Sequence, residues 1–181
     1  MFGTISGWIL TVLGWRIEGH YPSEIPKMVV AVIPHTSNWD FPLGLLVRSN
    51  LRADIKFMAK NSLFRFPYGG LFRWLGGYPV DRSKSHNYVD AVVDTLDQVD
   101  QFSLCIAPEG TRKKVERLKT GFYHIAKKAQ IPIILCRFDY GRKVVSFSEP
   151  FYPTDDADKD LSFIIDHFKG IKGKNPEWGF G

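Results

Sequence analysis

Short apolar runs of strand length alternate along this chain with segments whose apolar residues recur at helical spacing. The runs Met28 to Ile33 and Phe102 to Ile106 are of the first kind, and the segment Asn87 to Val99 is of the second. Alternating strands and helices predict an α/β fold, because each amphipathic helix buries its apolar side on a sheet. With 181 residues and no repeat or linker, we expect a single layered domain with a mixed β-sheet flanked by helices.

The same two patterns predict six further elements. They are strands at Asp54 to Ala59, Ile131 to Phe138 and Val144 to Phe151, and helices at Phe41 to Ser49, Leu118 to Ala129 and Leu161 to Phe168. The segment Phe64 to Gly77 is too aromatic and too often broken by glycine for one long helix, so it predicts short helices and turns. A glycine-rich tail begins at Lys169, with Trp178 and Phe180 as candidate anchors.

The first seventeen residues contain one charged side chain, Arg16, and two tryptophans, Trp8 and Trp15. In a helix, residues seven apart lie on one face. The stretch is shorter than the roughly 20 apolar residues that span a bilayer, and it lacks the basic start and cleavage site of a signal peptide. The alternatives are a helix in the membrane interface and a helix packed on the domain, and tryptophan favours the first. We therefore predict an interfacial segment at residues 1–20 and a domain at residues 21–181.

A histidine and a carboxylate, His35 and Asp40, follow the apolar run Met28 to Ile33. Pro34 ends that strand, so we expect the next polar residues at the carboxyl edge of the sheet, where α/β proteins collect their functional groups. An imidazole there can act as a general base near neutral pH, and a carboxylate on its other nitrogen can fix the tautomer. The alternative is a surface turn in which Asp40 caps the following helix.

Three further segments come in a fixed order along the chain. Residues 76–82 form a glycine turn, a short apolar stretch and an Asp-Arg pair, residues 107–112 are Ala-Pro-Glu-Gly-Thr-Arg, and residues 131–136 are Ile-Pro-Ile-Ile-Leu-Cys. Together with the His-x4-Asp motif of His35 and Asp40, they resemble the four sequence blocks of the glycerolipid or lysophospholipid acyltransferase family, of the 1-acylglycerol-3-phosphate O-acyltransferase type. The blocks cover a little over half of the chain.

The resemblance implies a role for each block. His35 is the general base and Asp40 is its orienter, while the third block binds the acceptor. The residues that it assigns to substrate binding are Glu109, Gly110, Thr111, Arg112, Arg82 and Lys60. Pro34 and Ala107 differ from the residues common at these positions in the family. Neither change removes a reacting group, so we expect them to affect acceptor preference more than activity.

The chemistry of these side chains agrees with an anion site. Gly110 lets backbone amides approach a phosphate, Thr111 adds a hydroxyl, and the planar guanidinium of Arg112 matches phosphate oxygens. Glu109 cannot hold a phosphate, so we expect it to orient Arg112 or to accept a hydrogen bond from a glycerol hydroxyl. For Arg82 the alternative is an exposed ion pair with the preceding aspartate, which would contribute little.

Transfer of an acyl group from a thioester to an alcohol needs a base and a stabilised oxyanion, but no covalent enzyme intermediate. Ser37 is a conceivable nucleophile. It lacks a Gly-x-Ser-x-Gly elbow, so we expect its hydroxyl to serve the start of the helix. The segment Phe64 to Gly77 is either a loop folded on the core or a wall of an acyl tunnel or a membrane-facing lip.

The formal net charge is +5, and five basic residues fall within residues 112–119. Such a charge suits a lipid surface, a phosphorylated substrate or nucleic acid. With the resemblance, we expect a membrane lipid surface and a lysophospholipid acceptor, and no nucleic acid. Cys105 and Cys136 lie in apolar runs and no Cys-His cluster is present, so we expect neither a metal nor another cofactor. The co-substrate would be acyl-CoA or acyl carrier protein.

The resemblance thus implies an acyltransferase that moves a fatty acyl group to a lysophospholipid such as 1-acylglycerol-3-phosphate, in phospholipid biosynthesis. We expect it to be peripheral or monotopic on the cytoplasmic face of a membrane. Three alternatives stay open at the level of sequence. The acceptor could be a lyso-aminolipid without phosphate, water could replace the acceptor in a lipid hydrolase, or the chain could be a non-enzymatic module that binds membranes.

Overall fold

A mixed sheet forms the centre of the protein, whose computed structural model describes residues 2–60, 64–80 and 88–179. Its strands are β1 (Arg16–Glu18), β2 (Lys27–Ile33), β3 (Ile55–Lys60), β4 (Gly77–Val80), β5 (Phe102–Ile106), β6 (Ile133–Asp139) and β7 (Val144–Phe147). They lie in the order β1-β7-β6-β2-β5-β3-β4. The β6 and β7 pair is antiparallel and the other neighbouring pairs are parallel, so the predicted mixed α/β fold is confirmed.

Six α-helices flank the sheet in the described part of the chain. They are α1 (Phe2–Val12), α2 (Asp40–Leu51), α3 (Gly69–Trp74), α4 (Tyr88–Asp97), α5 (Gly121–Ala129) and α6 (Ala157–Phe168), followed by a single 3-10 turn at Pro176–Trp178. Across residues 2–60, 64–80 and 88–179, no helix combines the length and the apolar character needed to cross a membrane.

Every predicted strand and helix is present, and the largest errors are at two ends. Strand β7 stops at Phe147 instead of continuing to Phe151, which makes only an isolated bridge to Ile133. Helix α6 begins at Ala157, four residues before the predicted start. The carboxylate of Asp156 accepts a hydrogen bond from the backbone N–H of Lys159 and starts the helix there.

Two strands were not predicted. β1 has only three residues, and it exists because Arg16–Glu18 pairs with Val144 to Ser146 of β7. β4 begins at Gly77, in the predicted glycine turn, continues through the short apolar stretch that follows, and pairs with Phe57 to Lys60. Both are edge strands of the sheet, where distant pairing rather than local pattern determines the structure.

The side chains of the central strand β2 alternate between two cores. Val29, Ala31 and Ile33 pack in a cluster with residues of α4, α5 and α6. Val30 and Val32 pack on the opposite face with residues of α1 and α2. The sheet therefore has an α4-α6 face and an α1-α2 face, and the site described below opens on the second.

Helix α1 packs against α2 through small residues. A Cβ atom at Gly3 would lie 3.0 Å from the backbone oxygen of Ser49, one at Gly7 would lie 2.5 Å from Asn50 Nδ2, and the Ser6 hydroxyl donates to Ser49 Oγ over 2.9 Å. The outward stripe of α1 is apolar and exposed; its members are Ile5, Trp8 and Val12.

The prediction that Trp8 and Trp15 share one helical face is wrong. Helix α1 ends at Val12, and Trp15 lies beyond it, after the turn that leads to β1. Its indole packs edge-to-face on the ring of Tyr140 at a centroid distance of 4.9 Å. Trp8 is 67% exposed, so the two tryptophans have different surroundings.

Candidate active site

Three adjacent central strands end next to one another, and a polar residue follows each of them. β2 pairs with β5 on one side and with β6 on the other. His35 follows β2, Glu109 follows β5, and Tyr140 follows β6. Because these strands are parallel, their carboxyl ends meet at one edge of the sheet, where ligand sites of open α/β sheets form.

His35 and Asp40 form a hydrogen-bonded pair at this edge. His35 Nδ1 lies 3.0 Å from Asp40 Oδ2, and the imidazole is 23% exposed while the carboxylate is 2% exposed. A carboxylate on Nδ1 selects the tautomer with the proton on that nitrogen and leaves Nε2 as the acceptor. The spacing of the two residues thus brings them into contact, with Nε2 left on the other side of the ring.

The Asp40 carboxylate accepts three hydrogen bonds. In addition to His35, the backbone N–H of Ser37 donates to Oδ2 over 2.9 Å and the Tyr140 hydroxyl donates to Oδ1 over 2.7 Å. Burial by itself would raise the pKa of this carboxyl, but the hydrogen bonds from His35, Tyr140 and Ser37 outweigh it and hold the pKa below its usual value. Asp40 thus stays ionised beside the imidazole.

The loop between β2 and α2 is fixed by its own side chains. The Ser37 hydroxyl accepts from the backbone N–H of Trp39 over 3.2 Å, in the turn that leads into α2. The hydroxyl therefore closes the turn before the helix, but it does not cap α2, whose N-cap residue is Trp39. Asp40 is the buried first residue of α2 and bonds back to Ser37, and no described side chain caps the helix, so the alternative of a surface turn capped by Asp40 is wrong.

The C-terminal tail holds the same loop from the other side. Asn175 donates from its backbone N–H to Thr36 Oγ1 over 3.2 Å and from Nδ2 to the Thr36 carbonyl over 2.8 Å. The Lys174 ammonium lies 4.8 Å from the centroid of the Trp39 ring. Trp178, a predicted anchor, is 44% exposed, and Phe180 lies outside the described residues. Polar contacts to the loop, and not the aromatic side chains, therefore fix the described part of the tail.

Glu109 is buried behind His35. Its Oε2 accepts from the backbone N–H of His35 over 2.5 Å, and its Oε1 has no partner among the described residues. Burial raises the pKa of Glu109 to about 7, against the lowering effect of the His35 N–H. The expectation that Glu109 orients Arg112 is not met in the described contacts, because its carboxylate binds the His35 backbone instead.

The turn after Glu109 brings a lysine close to Gly110. Gly110 has a φ of +66°, and a Cβ atom there would lie 2.7 Å from Lys119 Nζ. The backbone angle favours a glycine here, whereas the flexible lysine side chain could move away from an added Cβ atom. Thr111 Oγ1 accepts from the backbone N–H of Lys113 over 3.3 Å, and Arg112 is an exposed residue that lines the cavity described next.

A cavity of about 460 Å³ lies between α2 and the sheet and has His35, Asp40 and Arg112 at one end. Its walls are mostly apolar and include Val30, Val32, Phe41, Gly44, Leu45, Phe57, Met58, Cys136 and Phe138. At the other end lie Ile55 and Leu75. Along β3 alone, Ile55 to Met58 covers about 10 Å, since a strand rises roughly 3.3 Å per residue.

Two predicted binding residues cannot be placed in full. Arg82 lies outside the described residues. Lys60 is the last residue of β3, and its backbone pairs with Val80. Its backbone therefore lies at the carboxyl edge of the sheet. In the part of the chain that the structure describes, no group of three His, Cys, Asp or Glu side chains could hold a metal ion.

A comparison with protein families identifies the chain. The profile of the family described as Acyltransferase matches residues 16–138, more than half of the sequence. The chain belongs to the acyltransferase family. The matched range extends from β1 into β6 and contains His35, Asp40, Glu109 and Arg112.

Two relatives of this acyltransferase-family chain bear more specific names. A 1-acyl-sn-glycerol-3-phosphate acyltransferase from Cocos nucifera is 34% identical over 83 residues, which are 42% of this chain and 27% of that relative. The matched segment is thus little more than a quarter of the length of that relative. The crystal structure of PlsC, a 1-acyl-sn-glycerophosphate (LPA) acyltransferase from Thermotoga maritima, has a TM-score of 0.58 with 18% identity, and covers 93% of this chain and 75% of that one. This likeness shows the shared fold.

Sequence reasoning missed two contributors to the site of this family member. Tyr140 and Asn175 both lie after the range that the family profile matches. A signal for Tyr140 was present, since it follows an apolar strand just as His35 does. Asn175 carries no comparable signal, because its contact with Thr36 depends on the path of the tail through space.

Proposed function

We propose that the protein transfers a fatty acyl group from an acyl thioester to the hydroxyl of a lysophospholipid such as 1-acylglycerol-3-phosphate, as a step of phospholipid biosynthesis. One observation carries the proposal: in a member of the acyltransferase family, a His-Asp pair lies at the end of an apolar cavity, and His35 Nε2 has no hydrogen bond to the described residues. The pair supplies a base for an alcohol, and the cavity suits an acyl chain.

The reaction needs one base and no enzyme nucleophile. His35 Nε2 removes the proton of the acceptor hydroxyl as its oxygen attacks the thioester carbonyl. The resulting tetrahedral oxyanion collapses, the C–S bond breaks, and the imidazolium returns the proton to the leaving thiolate. Asp40 stabilises the imidazolium through Nδ1 while the charge exists. The products are the diacyl lipid and the free thiol.

The cavity is proposed to hold the acyl chain of the donor. Each methylene group of the acyl chain that moves from water into this apolar lining favours binding by about 0.8 kcal/mol. The thioester carbonyl would then lie near His35, at the polar end. Either acyl-CoA or acyl carrier protein can present such a thioester, and the cavity does not distinguish the two carriers.

The acceptor phosphate is proposed to bind beside the same end. Arg112 lines the cavity there, and Lys119 lies against the Gly110 turn. These two cations present hydrogen-bond donors to an anion. The described contact of the Glu109 carboxylate is to the His35 backbone N–H and to neither of these cations. A phosphate-free lyso-aminolipid would leave both cations without a partner, so the phosphorylated acceptor is favoured.

Peripheral binding to a membrane, as part of the proposal, would place the end of the cavity opposite His35 and Asp40 next to the lipid substrates. The apolar outer stripe of α1 and the exposed aromatic residues of the α3 region, Phe66, Tyr68 and Trp74, suit the headgroup boundary. Helix α1 contacts α2 at Ser49, and α3 is joined to α2 where Arg48 Nη1 donates to the Leu75 carbonyl over 2.8 Å. Both surfaces thus flank the same end of α2, and we propose the cytoplasmic leaflet as their partner.

The test is release of free thiol from acyl-CoA or acyl carrier protein, with and without 1-acylglycerol-3-phosphate. Transfer requires release that depends on the acceptor and yields the diacyl lipid. Release at the same rate without acceptor would identify a hydrolase, and no release with either donor would favour a membrane-binding module. The variant His35→Ala should lower turnover by about 10²-fold or more while the protein stays folded. Near-normal transfer by that variant would disprove the assigned base.

A further inference from the structure

Tyr140 touches the proposed catalytic pair from a part of the chain that the sequence blocks do not include. It follows β6, the strand beside β2, and its hydroxyl donates to Asp40 Oδ1 over 2.7 Å. One hundred residues separate Tyr140 from Asp40 along the chain. Burial, and then the acceptor Asp40, raise the pKa of this phenol well above its usual value, so the hydroxyl keeps its proton and donates.

The two oxygens of the Asp40 carboxylate have separate tasks. Oδ2 faces His35 Nδ1 and the Ser37 N–H, while Oδ1 is occupied by Tyr140. With donors on both oxygens, rotation of the carboxylate about its Cβ–Cγ bond would break at least one hydrogen bond. The donor on Oδ1 also lowers the proton affinity of the carboxylate, which keeps the Nδ1 proton on the imidazole.

Tyr140 is itself held by two contacts, one to its backbone and one to its ring. Its backbone N–H donates to the Lys172 carbonyl over 2.8 Å, and the indole of Trp15 packs edge-to-face against the ring. Lys172 belongs to the tail that also holds the His35 loop, and Trp15 belongs to the connection after α1. The hydroxyl therefore reaches Asp40 from a fixed position.

We propose that Tyr140 is a positioning residue of the transfer reaction, which orients the Asp40 carboxylate and through it the imidazole of His35. This inference rests on the proposed function of the pair. Without the hydroxyl, Oδ1 would lose its donor in a buried place, and the carboxylate could turn or admit water. His35 would then sample the other tautomer, with Nε2 protonated and unable to accept the proton of the acceptor hydroxyl.

The principal variant is Tyr140→Phe, which removes the hydroxyl and keeps the ring. We expect kcat to fall about tenfold, the scale of one charge-assisted hydrogen bond, while the KM values of donor and acceptor stay within about twofold of the wild type. A merely structural tyrosine would change stability, or both KM values, without this selective loss of kcat.

The chain offers a matched control in Tyr123. Its hydroxyl also donates to a buried carboxylate, Asp160 Oδ2, over 2.9 Å, but on the α4-α6 face of the sheet. Tyr123→Phe removes the same kind of hydrogen bond far from His35, so we expect its melting temperature to fall and its kcat to be unchanged. If the two variants lose kcat equally, the effect is one of stability and the inference fails.

A second measurement does not depend on activity. Nitrogen NMR of the histidine side chains, with His35 assigned from a His35→Ala sample, reports which ring nitrogen carries the proton. We expect the neutral Nδ1–H tautomer in the wild type and in Tyr123→Phe, and a measurable share of Nε2–H in Tyr140→Phe. An unchanged spectrum in Tyr140→Phe would overturn the positioning role. If the wild type shows no acyl transfer, the proposed function fails, and this spectrum still decides whether Tyr140 orients the pair.

Discussion

At the scale of single residues, Glu109 differs most from its expected role. The family resemblance assigns it to the acceptor, yet its Oε2 binds the backbone N–H of His35 and its Oε1 is buried without a partner among the described residues. It connects the end of β5 to the loop after β2. The carboxyl therefore acts on the site through the backbone of His35, whatever contact it also makes with an acceptor.

The burial of the Glu109 carboxyl predicts how the free energy of unfolding changes with pH. The pKa of Glu109 is raised from 4.5 to about 7 in the folded protein, so the folded state binds the proton more tightly than the unfolded state. The protonated carboxyl therefore contributes to the free energy of unfolding. This contribution is complete below pH 4.5 and is lost as the pH rises to about 7, which lowers the free energy of unfolding by up to about 3 kcal/mol. Glu109→Gln removes the titration. Urea unfolding at pH 4.5 and 7.5 should show the variant gaining stability relative to the wild type at the higher pH.

Asp40 does not interfere in that range. The pKa of Asp40 is lowered. Its contribution to the free energy of unfolding is therefore complete at pH values above the usual pKa of an aspartate, and it is lost only at more acidic pH. A constant difference between the wild type and Glu109→Gln from pH 4.5 to 7.5 would contradict the raised pKa of Glu109.

Arg112 gives a second prediction at this scale. Arg112→Lys keeps the charge but loses the planar guanidinium, so the KM for 1-acylglycerol-3-phosphate should rise severalfold more than the KM for the donor. Steady-state kinetics with each substrate varied in turn will measure this. Arg117→Lys, in the same basic segment but not among the residues that line the cavity, is the control and should change neither constant. Equal increases for donor and acceptor would indicate a structural effect instead.

At the scale of elements, the tail and the loop after β2 fit closely. A Cβ atom at Gly173 would lie 2.5 Å from Thr36 Oγ1 and 2.9 Å from its Cγ2, and Thr36 is fully buried. We predict that Gly173→Ala displaces the tail, lowers the free energy of unfolding by about 1–3 kcal/mol and reduces kcat. Gly70→Ala in α3, where the added Cβ meets nothing within 4 Å, is the control and should not lose stability. Equal stability of the two variants would contradict the close fit.

Helix α2 gives a prediction about the cavity that it covers. Gly44 lines the cavity, and a Cβ atom there would be 3.8 Å from Phe138 Cζ. Gly44→Ala should therefore be tolerated, while Gly44→Leu should fill space that a long acyl chain needs. Each excluded methylene group costs about 0.8 kcal/mol, or about fourfold in kcat/KM. We expect Gly44→Leu to lose activity with long-chain donors and to keep it with short ones, and an equal loss with both would argue against acyl binding there.

The sequence predicted these elements well where the pattern is local. The apolar run of β2 and the periodic segment of α4 were identified because their own residues fix their structure. Strand β1 was missed because three residues carry no period, and it forms only on pairing with β7. The same limit explains the site. His35 and Asp40 lie within one loop and were predicted, whereas the contacts from Tyr140 and Asn175 depend on strand order and on the path of the tail.

At the scale of the whole molecule, exposed apolar side chains gather around two helices. Around α1 and α3, large apolar residues lie at the surface, with Phe66 98% and Trp74 74% exposed. Arg65 and Arg73 lie among the aromatic residues of the α3 region. Aromatic side chains next to cations suit an anionic lipid surface.

The membrane proposal requires variants that avoid the site. Trp15 is unsuitable because its indole packs on Tyr140, so its loss would disturb Asp40 as well as any membrane contact. Trp8 and Trp74 are both exposed and lie on α1 and α3. We predict that Trp8→Ala combined with Trp74→Ala reduces sedimentation with vesicles of anionic lipid and raises the apparent KM for vesicle-presented acceptor, while activity in detergent micelles and the melting temperature are kept.

Tyr152→Ala removes a similarly exposed aromatic residue next to Phe151, which packs on the α4-α6 face, and should leave vesicle binding unchanged. If the double variant binds vesicles as the wild type does, Trp8 and Trp74 do not contact the membrane and the proposed surface is wrong.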